Sequence, residues 1–297
     1  MSELNFTVDK SKCIHCGLCI KDCITNIINF DYEKNPYIKS EHENRCIKCQ
    51  HCMAVCPVGA ISILGKNPDN SLKNDTNIDV DNLISLMKSR RSYRHYKNEN
   101  LDKETLNKLK DVLKFVPTGC NSHKLHFSII EDLEVMNKFR NSTNNKLKNI
   151  LLKTGNNPIA KKFESFRQQI IDGKDLIYRD APHLIVVSAP ITSPCPQQDG
   201  IIALSYFELL AQSLGVGTCW CGFSHMCLRY FPDLCEFLEI PDGYKPIYSM
   251  LFGPTDIKYA RCPQPEEVEI SYPKGNKNVD NIGIIKKIKR HIWNNIR

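Results

Sequence analysis

Eight cysteines near the start of the chain constrain it more than any other feature. They fall in two runs, Cys13-x2-Cys16-x2-Cys19-x3-Cys23 and Cys46-x2-Cys49-x2-Cys52-x3-Cys56, with Pro57 after the second. Three thiolates two residues apart wrap one metal–sulfur cubane within a single loop. The fourth lies on the following helical turn, points the other way, and ligates the other cluster. This spacing assigns Cys13, Cys16, Cys19 and Cys56 to one 4Fe-4S cluster, and Cys23, Cys46, Cys49 and Cys52 to a second. Structural zinc uses four ligands in two CxxC pairs, and a doubled CxxCxxCxxxC carries too many closely spaced thiols for that. The runs repeat every 33 residues. Such a period also marks solenoids, but the ligand spacing accounts for it without one.

The chain has 297 residues and fifteen cysteines. Secreted disulfide scaffolds are short and lack a large separate core, so metal–sulfur ligation in a reducing compartment fits better. No apolar run approaches the roughly 20 residues that cross a bilayer. The N-terminus, MSELNFTVDKSKC, has no apolar signal core, and a cytoplasmic location is expected. Net charge is +7, from 40 Lys and Arg against 33 Asp and Glu. Residues 1–65 carry seven of each, so the excess lies downstream. Two oxidised clusters with their thiolates make the first segment about −4, which favours docking on a positive partner domain. No Lys/Arg stripe interleaved with stacking aromatics is present, which argues against nucleic acid.

Residues 1–65 resemble bacterial two-cluster ferredoxins over their whole length. One departure is Ile24, which follows Cys23 where ferredoxins usually carry proline; proline stiffens that turn but supplies no ligand. Ile14, Ile20, Ile47, Val55, Ile61 and Ile63 are expected to pack around the clusters. Residues 66–78, KNPDNSLKNDTNI, read as a polar linker. A larger domain then spans 79–276. Asp79 or Asp81 caps a helix through Leu83, Ile84, Leu86 and Met87, and a second helix starts near Asp102 and stops before Pro117. His126–Ile130, His183–Pro190 and Tyr248–Gly253 read as strands, the second fully buried. Helical patterns fill much of 132–176, and Ile201–Leu214 is an apolar helix expected to be deeply buried. Irregular alternation of helices and strands gives an α+β domain around a mostly antiparallel sheet. Residues 277–297 carry isoleucines at helical spacing with lysines between. That pattern suits an amphipathic helix packed on its own protein or a partner subunit rather than on a membrane.

Arg90-Arg91-Ser92-Tyr93-Arg94 follows the first of these helices. Two guanidinium forks flanking a hydroxyl suit a phosphate, although a basic helix end is also favoured by the helix dipole alone. Downstream come Pro117-Thr118-Gly119-Cys120-Asn121, then Gly215-Val216-Gly217-Thr218-Cys219-Trp220, then Gly253-Pro-Thr-Asp-Ile-Lys258-Tyr-Ala-Arg261. This order resembles the nitroreductase family of homodimeric FMN flavoproteins, and the whole chain resembles a ferredoxin–nitroreductase fusion. The resemblance implies that Arg90, Arg91, Ser92 and Arg94 bind the FMN phosphate and ribityl chain. Lys258 and Arg261 would complete the phosphate site. Pro117, Thr118 and Asn121 would reach the flavin of the other subunit. Gly217, Thr218 and Cys219 would form a backbone turn beside the isoalloxazine, with Lys174 or Arg179 supplying positive charge near it. The family loop often reads Asn-Ser-Gln-Pro-Trp, whereas this chain has Asn121-Ser122-His123-Lys124-Leu125; either His123 and Lys124 favour an anionic or nitro-bearing substrate, or the loop end is simply exposed.

The function this implies is FMN-dependent electron transfer from the two clusters to a nitroaromatic, quinone or similar acceptor. The external donor would be a reduced ferredoxin or flavodoxin, or NAD(P)H. Alternatives are an NAD(P)H-linked flavin or enone reductase, a dehalogenase, or a non-enzymatic carrier or redox sensor. No GxGxxG opens a βαβ unit. Seven cysteines lie outside the two runs (Cys120, Cys195, Cys219, Cys221, Cys227, Cys235 and Cys262). Their spacing matches no common metal site, and they read as small hydrophobes.

Overall fold

A computed structural model describes residues 4–74, 77–153 and 157–274. The helix expected over 277–297 lies outside the described residues. One compact unit runs to Arg261; a second begins at Cys262, and its described residues, 262–274, have neither helix nor strand.

The cysteine-rich segment is built twice. In each half a cysteine loop leads into one helical turn, α1 (Leu18–Lys21) or α2 (His51–Ala54), then into a short strand, β2 (Ile28–Phe30) or β4 (Ile61–Ser62). The strand β1 (Thr7–Val8) pairs antiparallel with β4, and β2 with β3 (Pro36–Ile38). The duplication extends to backbone angles. His15 and Gly17 flank Cys16 with φ of 55° and 72°, and Lys48 and Gln50 flank Cys49 with φ of 57° and 61°. Left-handed residues of this kind occur where backbone amides form a concavity suited to an anionic centre. The core between the halves is small: Leu4, Ile27, Ile28, Met53, Ile61 and Ile63, together with the ligand candidates Cys19 and Cys52. Ile14 differs from expectation, being 58% exposed. The turn after Cys23 closes without proline, through Asn26 N–H to Cys23 O at 2.9 Å.

The larger part is a four-stranded antiparallel sheet in the order β5 (His126–Ile130), β6 (His183–Pro190), β8 (Tyr244–Gly253), β7 (Gly217–Trp220). Central β6 reads HLIVVSAP, and seven of its eight residues are buried, because helices cover both its faces. On one face pack α4 (Lys103–Val112) and α8 (Pro196–Ser213), through Leu106, Leu109, Leu204, Phe207 and Ala211. On the other pack α5 (Leu133–Leu152), α6 (Pro158–Lys162), α7 (Arg167–Ile171), α9 (Gly222–Tyr230) and α10 (Pro232–Phe237). Helix α3 (Val80–Ser89) precedes them all. Asp79 caps α3 by accepting the Asn82 amide at 3.1 Å, and Asp102 caps α4 by accepting that of Thr105 at 2.8 Å, as side-chain oxygens at N-caps do.

Two expectations change. The Gly217–Cys219 stretch is an edge strand, not a turn. Helix α8 is buried on one face, yet Ile201, Ile202, Tyr206 and Leu214 remain exposed. Within the segment after residue 65, Pro68–Asn70 form a short 3-10 turn capped by Asn67.

Candidate functional site

Cys13, Cys16, Cys19 and Cys56 line one cavity, with Gly17 and Pro36 among its walls. The three cysteines of the first run and the last of the second thus meet around a common space. In the other set, Cys46 feels Cys49 and Cys23, and Cys52 feels Cys49 and Cys46. Burial pushes the Cys19 thiol up to about 11 and Cys52 up to about 12. Thiols so desolvated ionise only against a cation, and a coordinated thiol is deprotonated outright. Sulfurs also receive polar hydrogens: Lys48 N–H reaches Cys46 Sγ at 3.4 Å and Ala60 N–H reaches Cys56 Sγ at 3.2 Å. At Cys23 burial acts upward, but the Thr25 hydroxyl and nearby amides outweigh it and hold the thiol below its usual value. Among the described residues no three His, Cys, Asp or Glu side chains converge as around a single ion; Cys13, Cys16, Cys19 and Cys56 surround a space instead. The thiol donor sets and the amides that reach Cys46 and Cys56 fit anionic iron–sulfur cubanes.

The second assembly sits on the outer edge of β7. Ser92 bridges Thr218 in parallel, and Tyr93 N–H donates to Thr218 O at 2.8 Å. This straps Arg90–Arg94 along Gly217–Cys219. Gln212 on α8 locks the strap: its Nε2 donates to Arg91 O and to Thr218 Oγ1, both at 2.7 Å, and its Oε1 accepts Arg91 N–H at 3.1 Å. One turn earlier Glu208, 5% exposed, accepts from Arg90 at 3.3 Å, Trp220 Nε1 at 3.0 Å and Thr218 Oγ1 at 3.4 Å. Tyr259 lies under the Arg91 guanidinium, 6.0 Å from centroid to Cζ, and meets the Tyr93 ring edge-on at 5.1 Å. That contact brings the Lys258–Arg261 segment to the strap, with both cations exposed. Four motifs expected to act together are therefore three in one place. The fourth, the loop of Pro117, Thr118 and Asn121, has other partners: Gly119 N–H donates to buried Asp199 at 2.8 Å, and Asn121 Nδ2 donates to Ile47 O at 3.0 Å.

Beside the strap, Arg94, Arg179, Cys219, Trp220, Phe223 and Met226 line a cavity of about 360 Å3 whose wall has no carboxylate. Burial raises the Cys219 thiol, while Arg94 and Arg179 draw it back. Of the two downstream cations considered, Arg179 shares this cavity with Cys219, and Lys174 lines the neighbouring one. Arg179 and Asp180 both have positive φ, 53° and 54°. Their loop is held by Asp175, which accepts the amides of Tyr178 at 2.9 Å and Asp180 at 3.1 Å and pairs with buried Arg140 at 2.9 Å. Two guanidiniums over an aromatic and thioether wall suit a flat, electron-rich ring system. The half-buried Arg91 and the exposed Lys258 and Arg261 suit its phosphate. The cavity therefore fits a flavin mononucleotide.

Sequence reasoning missed Glu208, Gln212, Tyr259, Arg140 and Asp175. A signal existed for the first two, which are polar residues four apart on an otherwise apolar helix, the i and i+4 positions of one face.

Comparison with known proteins matches this division. The profile of the Nitroreductase family matches residues 87–254, and that of the 4Fe-4S dicluster domain matches residues 12–60. Ferredoxin-3 of Nostoc sp. is 32% identical over 66 residues, spanning 17% of this chain and 68% of that protein. The chain spans 7%, 30% and 55% of the lengths of three other curated relatives, all matched over 62 to 72 residues. A Desulfitobacterium hafniense nitroreductase solved with bound FMN superposes with TM-score 0.52 at 21% identity, covering 65% of this chain and 98% of that one. A Bacteroides fragilis nitroreductase solved with bound FMN gives 0.52 at 19%, covering 64% and 98%. At such identity these show the shared fold. A dicluster segment thus precedes an α+β domain of this fold. The chain belongs to the nitroreductase family, with a 4Fe-4S dicluster domain ahead of it.

Proposed function

We propose that this chain is an FMN-dependent oxidoreductase fed by two 4Fe-4S clusters and acting on a small acceptor such as a nitroaromatic or quinone. The observation that carries the reading is the strapping of Arg90–Arg94 along Thr218 beside the Arg94–Arg179 cavity, in the same compact unit as the paired cysteine sets. When bound, iron–sulfur clusters carry electrons singly, and a flavin accepts them singly and delivers them in pairs.

The chain's own groups do the rest. Cys13, Cys16, Cys19 and Cys56 hold one cluster, and Cys23, Cys46, Cys49 and Cys52 the other. Arg90, Arg91, Ser92, Lys258 and Arg261 hold the phosphate end of FMN. Glu208 fixes Arg90 and Gln212 fixes Arg91, so the strap is set before any ligand arrives. Arg94 and Arg179 place positive charge where a reduced flavin gathers negative charge, and Gly217, Thr218 and Cys219 form the floor beside the ring. The exposed apolar face of α8 with Ile84 and Met87 of α3 supports a homodimer, in which Pro117, Thr118 and Asn121 would approach the partner's cofactor. On this reading the ferredoxin domain is 1–65, the linker 66–78, the flavin domain 79–276 and the tail 277–297. A reduced ferredoxin or flavodoxin, or NAD(P)H, supplies the electrons.

The test begins with anaerobically purified protein, which should carry about eight irons and one FMN per chain. Fully reduced protein mixed with a nitroaromatic should reoxidise at flavin wavelengths and turn over. A flavin that stays reduced beside unchanged acceptor would instead make the chain a carrier or sensor.

A further inference from the structure

The peptide unit between Ile47 and Lys48 lies inside the second cysteine run and is bonded at both ends. Its N–H points to Cys46 Sγ at 3.4 Å. Its carbonyl, Ile47 O, accepts Asn121 Nδ2 at 3.0 Å. Asn121 belongs to the flavin domain, so this peptide bridges a ligand sulfur of one domain to a side chain of the other.

The orientation of Asn121 is set in turn. His123 Nε2 lies 2.8 Å from Asn121 Oδ1. An amide oxygen only accepts, so His123 donates Nε2–H and Asn121 is left to present its Nδ2 hydrogens to Ile47. His123 is placed by its own amide, which donates to Thr118 Oγ1 at 3.1 Å. The loop is preorganised for this contact at some backbone cost: Cys120, Asn121 and His123 all have positive φ, 52°, 52° and 45°. Asn tolerates that region better than most residues. Strain of this kind persists where surrounding contacts over-determine it.

Resting on the reading of two clusters feeding a flavin, we propose that Asn121 is a positioning residue for electron exit, and that the Cys46 set, not the Cys13 set, is the one that hands electrons to the flavin domain. Each transfer oxidises a reduced cluster by one electron and reduces the flavin by one; two transfers, with protons from solvent, complete the flavin's reduction. The electrons enter from a low-potential one-electron donor. Asn121 acts in two ways. It holds the cysteine loop against the flavin domain. Its donation to Ile47 O also polarises the shared peptide, so the Lys48 N–H donates more strongly to Cys46 Sγ. Hydrogen bonds to ligand sulfur raise a cluster's reduction potential by stabilising the extra negative charge. The site thus tunes one cluster and leaves the other alone.

The variant Asn121→Gly keeps the left-handed backbone, adds no charge and removes the donor. In the full-length, cofactor-loaded protein, one of the two cluster midpoints in a redox titration followed by electron paramagnetic resonance should move to more negative potential, and the other should hold. After rapid mixing with reduced methyl viologen, flavin bleaching should lag cluster bleaching by about five- to tenfold more than in wild type, because losing the contact that holds the cysteine loop, on the scale of one hydrogen bond, outweighs the gain in driving force from the lower midpoint. His123→Ala should shift the same midpoint in the same direction, and His123→Gln, which restores a donor, should return it toward wild type. This second pair keeps the test alive if Asn121→Gly fails to fold. Wild-type midpoints or a wild-type transfer rate in Asn121→Gly overturns the proposal. A wild-type flavin that stays oxidised beside reduced clusters overturns the electron-feeding reading itself, and the exit bridge with it.

Discussion

Single residues in this protein are defined by what surrounds them more than by type. Arg90 and Lys258 are both cations assigned to a phosphate, yet Arg90 is fixed by a buried carboxylate and Lys258 stands exposed. His183 shows how far an environment reaches. It is fully buried at the start of β6, and its Nε2 accepts the Leu101 amide at 3.0 Å. Burial pushes its pKa down from 6.5 to about 4. Because the folded value lies below the unfolded one, the unfolded chain takes up the proton first as pH falls. Stability from neutral His183 is therefore complete above about pH 6.5 and lost progressively toward pH 4, by about 3 kcal/mol in all. Urea unfolding of the wild type and of His183→Gln should show this. The wild type should lose midpoint steeply between pH 7 and 4.5, and the variant should lose less. Parallel pH profiles would remove His183 from the account.

At the scale of elements, what was legible in the sequence is what local chemistry dictates. The caps Asp79 and Asp102, the stop before Pro117, the apolar run 183–190 and the cysteine loops all stand where their residues predict. Strand β7 was not legible. Four residues at a sheet edge carry too little pattern, and its pairing with β8 and with Ser92 is long-range. For the same reason α8 looked uniformly buried: an apolar helix does not say which face its own chain covers. Gly217 joins the local and long-range readings. The resemblance places its backbone beside a flavin. In the fold, a Cβ at 217 would also meet Tyr93 Cβ at 3.0 Å and Thr255 Cγ2 at 3.1 Å. The missing side chain is thus what lets the strap lie on β7. Gly217→Ala should push Tyr93 off the edge, lower stability by about 1–3 kcal/mol as overpacking does, and weaken FMN binding. Thermal melts and flavin fluorescence titration measure both. An alanine variant with wild-type affinity would show that the strap is not needed for the cofactor.

The whole molecule joins two parts stabilised by different means. The sheet domain owns a conventional interior, with Phe139, Phe163, Phe207, Tyr178 and Phe252 fully buried between helices and strands. The cysteine-rich part has strands of two or three residues, α-helices of one turn, and a core in which Cys19 and Cys52 stand among a few aliphatics. Domains this small seldom stand on burial alone and use metal or disulfide staples. Since Cys19 and Cys52 are core members and, on the proposed ligation, ligands too, losing the clusters should remove the staple and leave desolvated thiols without a partner. Oxidative removal of iron with a chelator should therefore unfold residues 4–65 while the sheet persists. Hydrogen exchange should rise across Cys13–Cys56 and stay slow in β6 and β8. The loop at Pro117–Asn121 should loosen with the first group, because Asn121 loses Ile47 as its acceptor, whereas the strap at Arg90–Arg94 should stay protected, held by Gln212 and Thr218. Uniform loss of protection would mean that the two parts fold as one, and that the clusters stabilise the sheet as well as feed it.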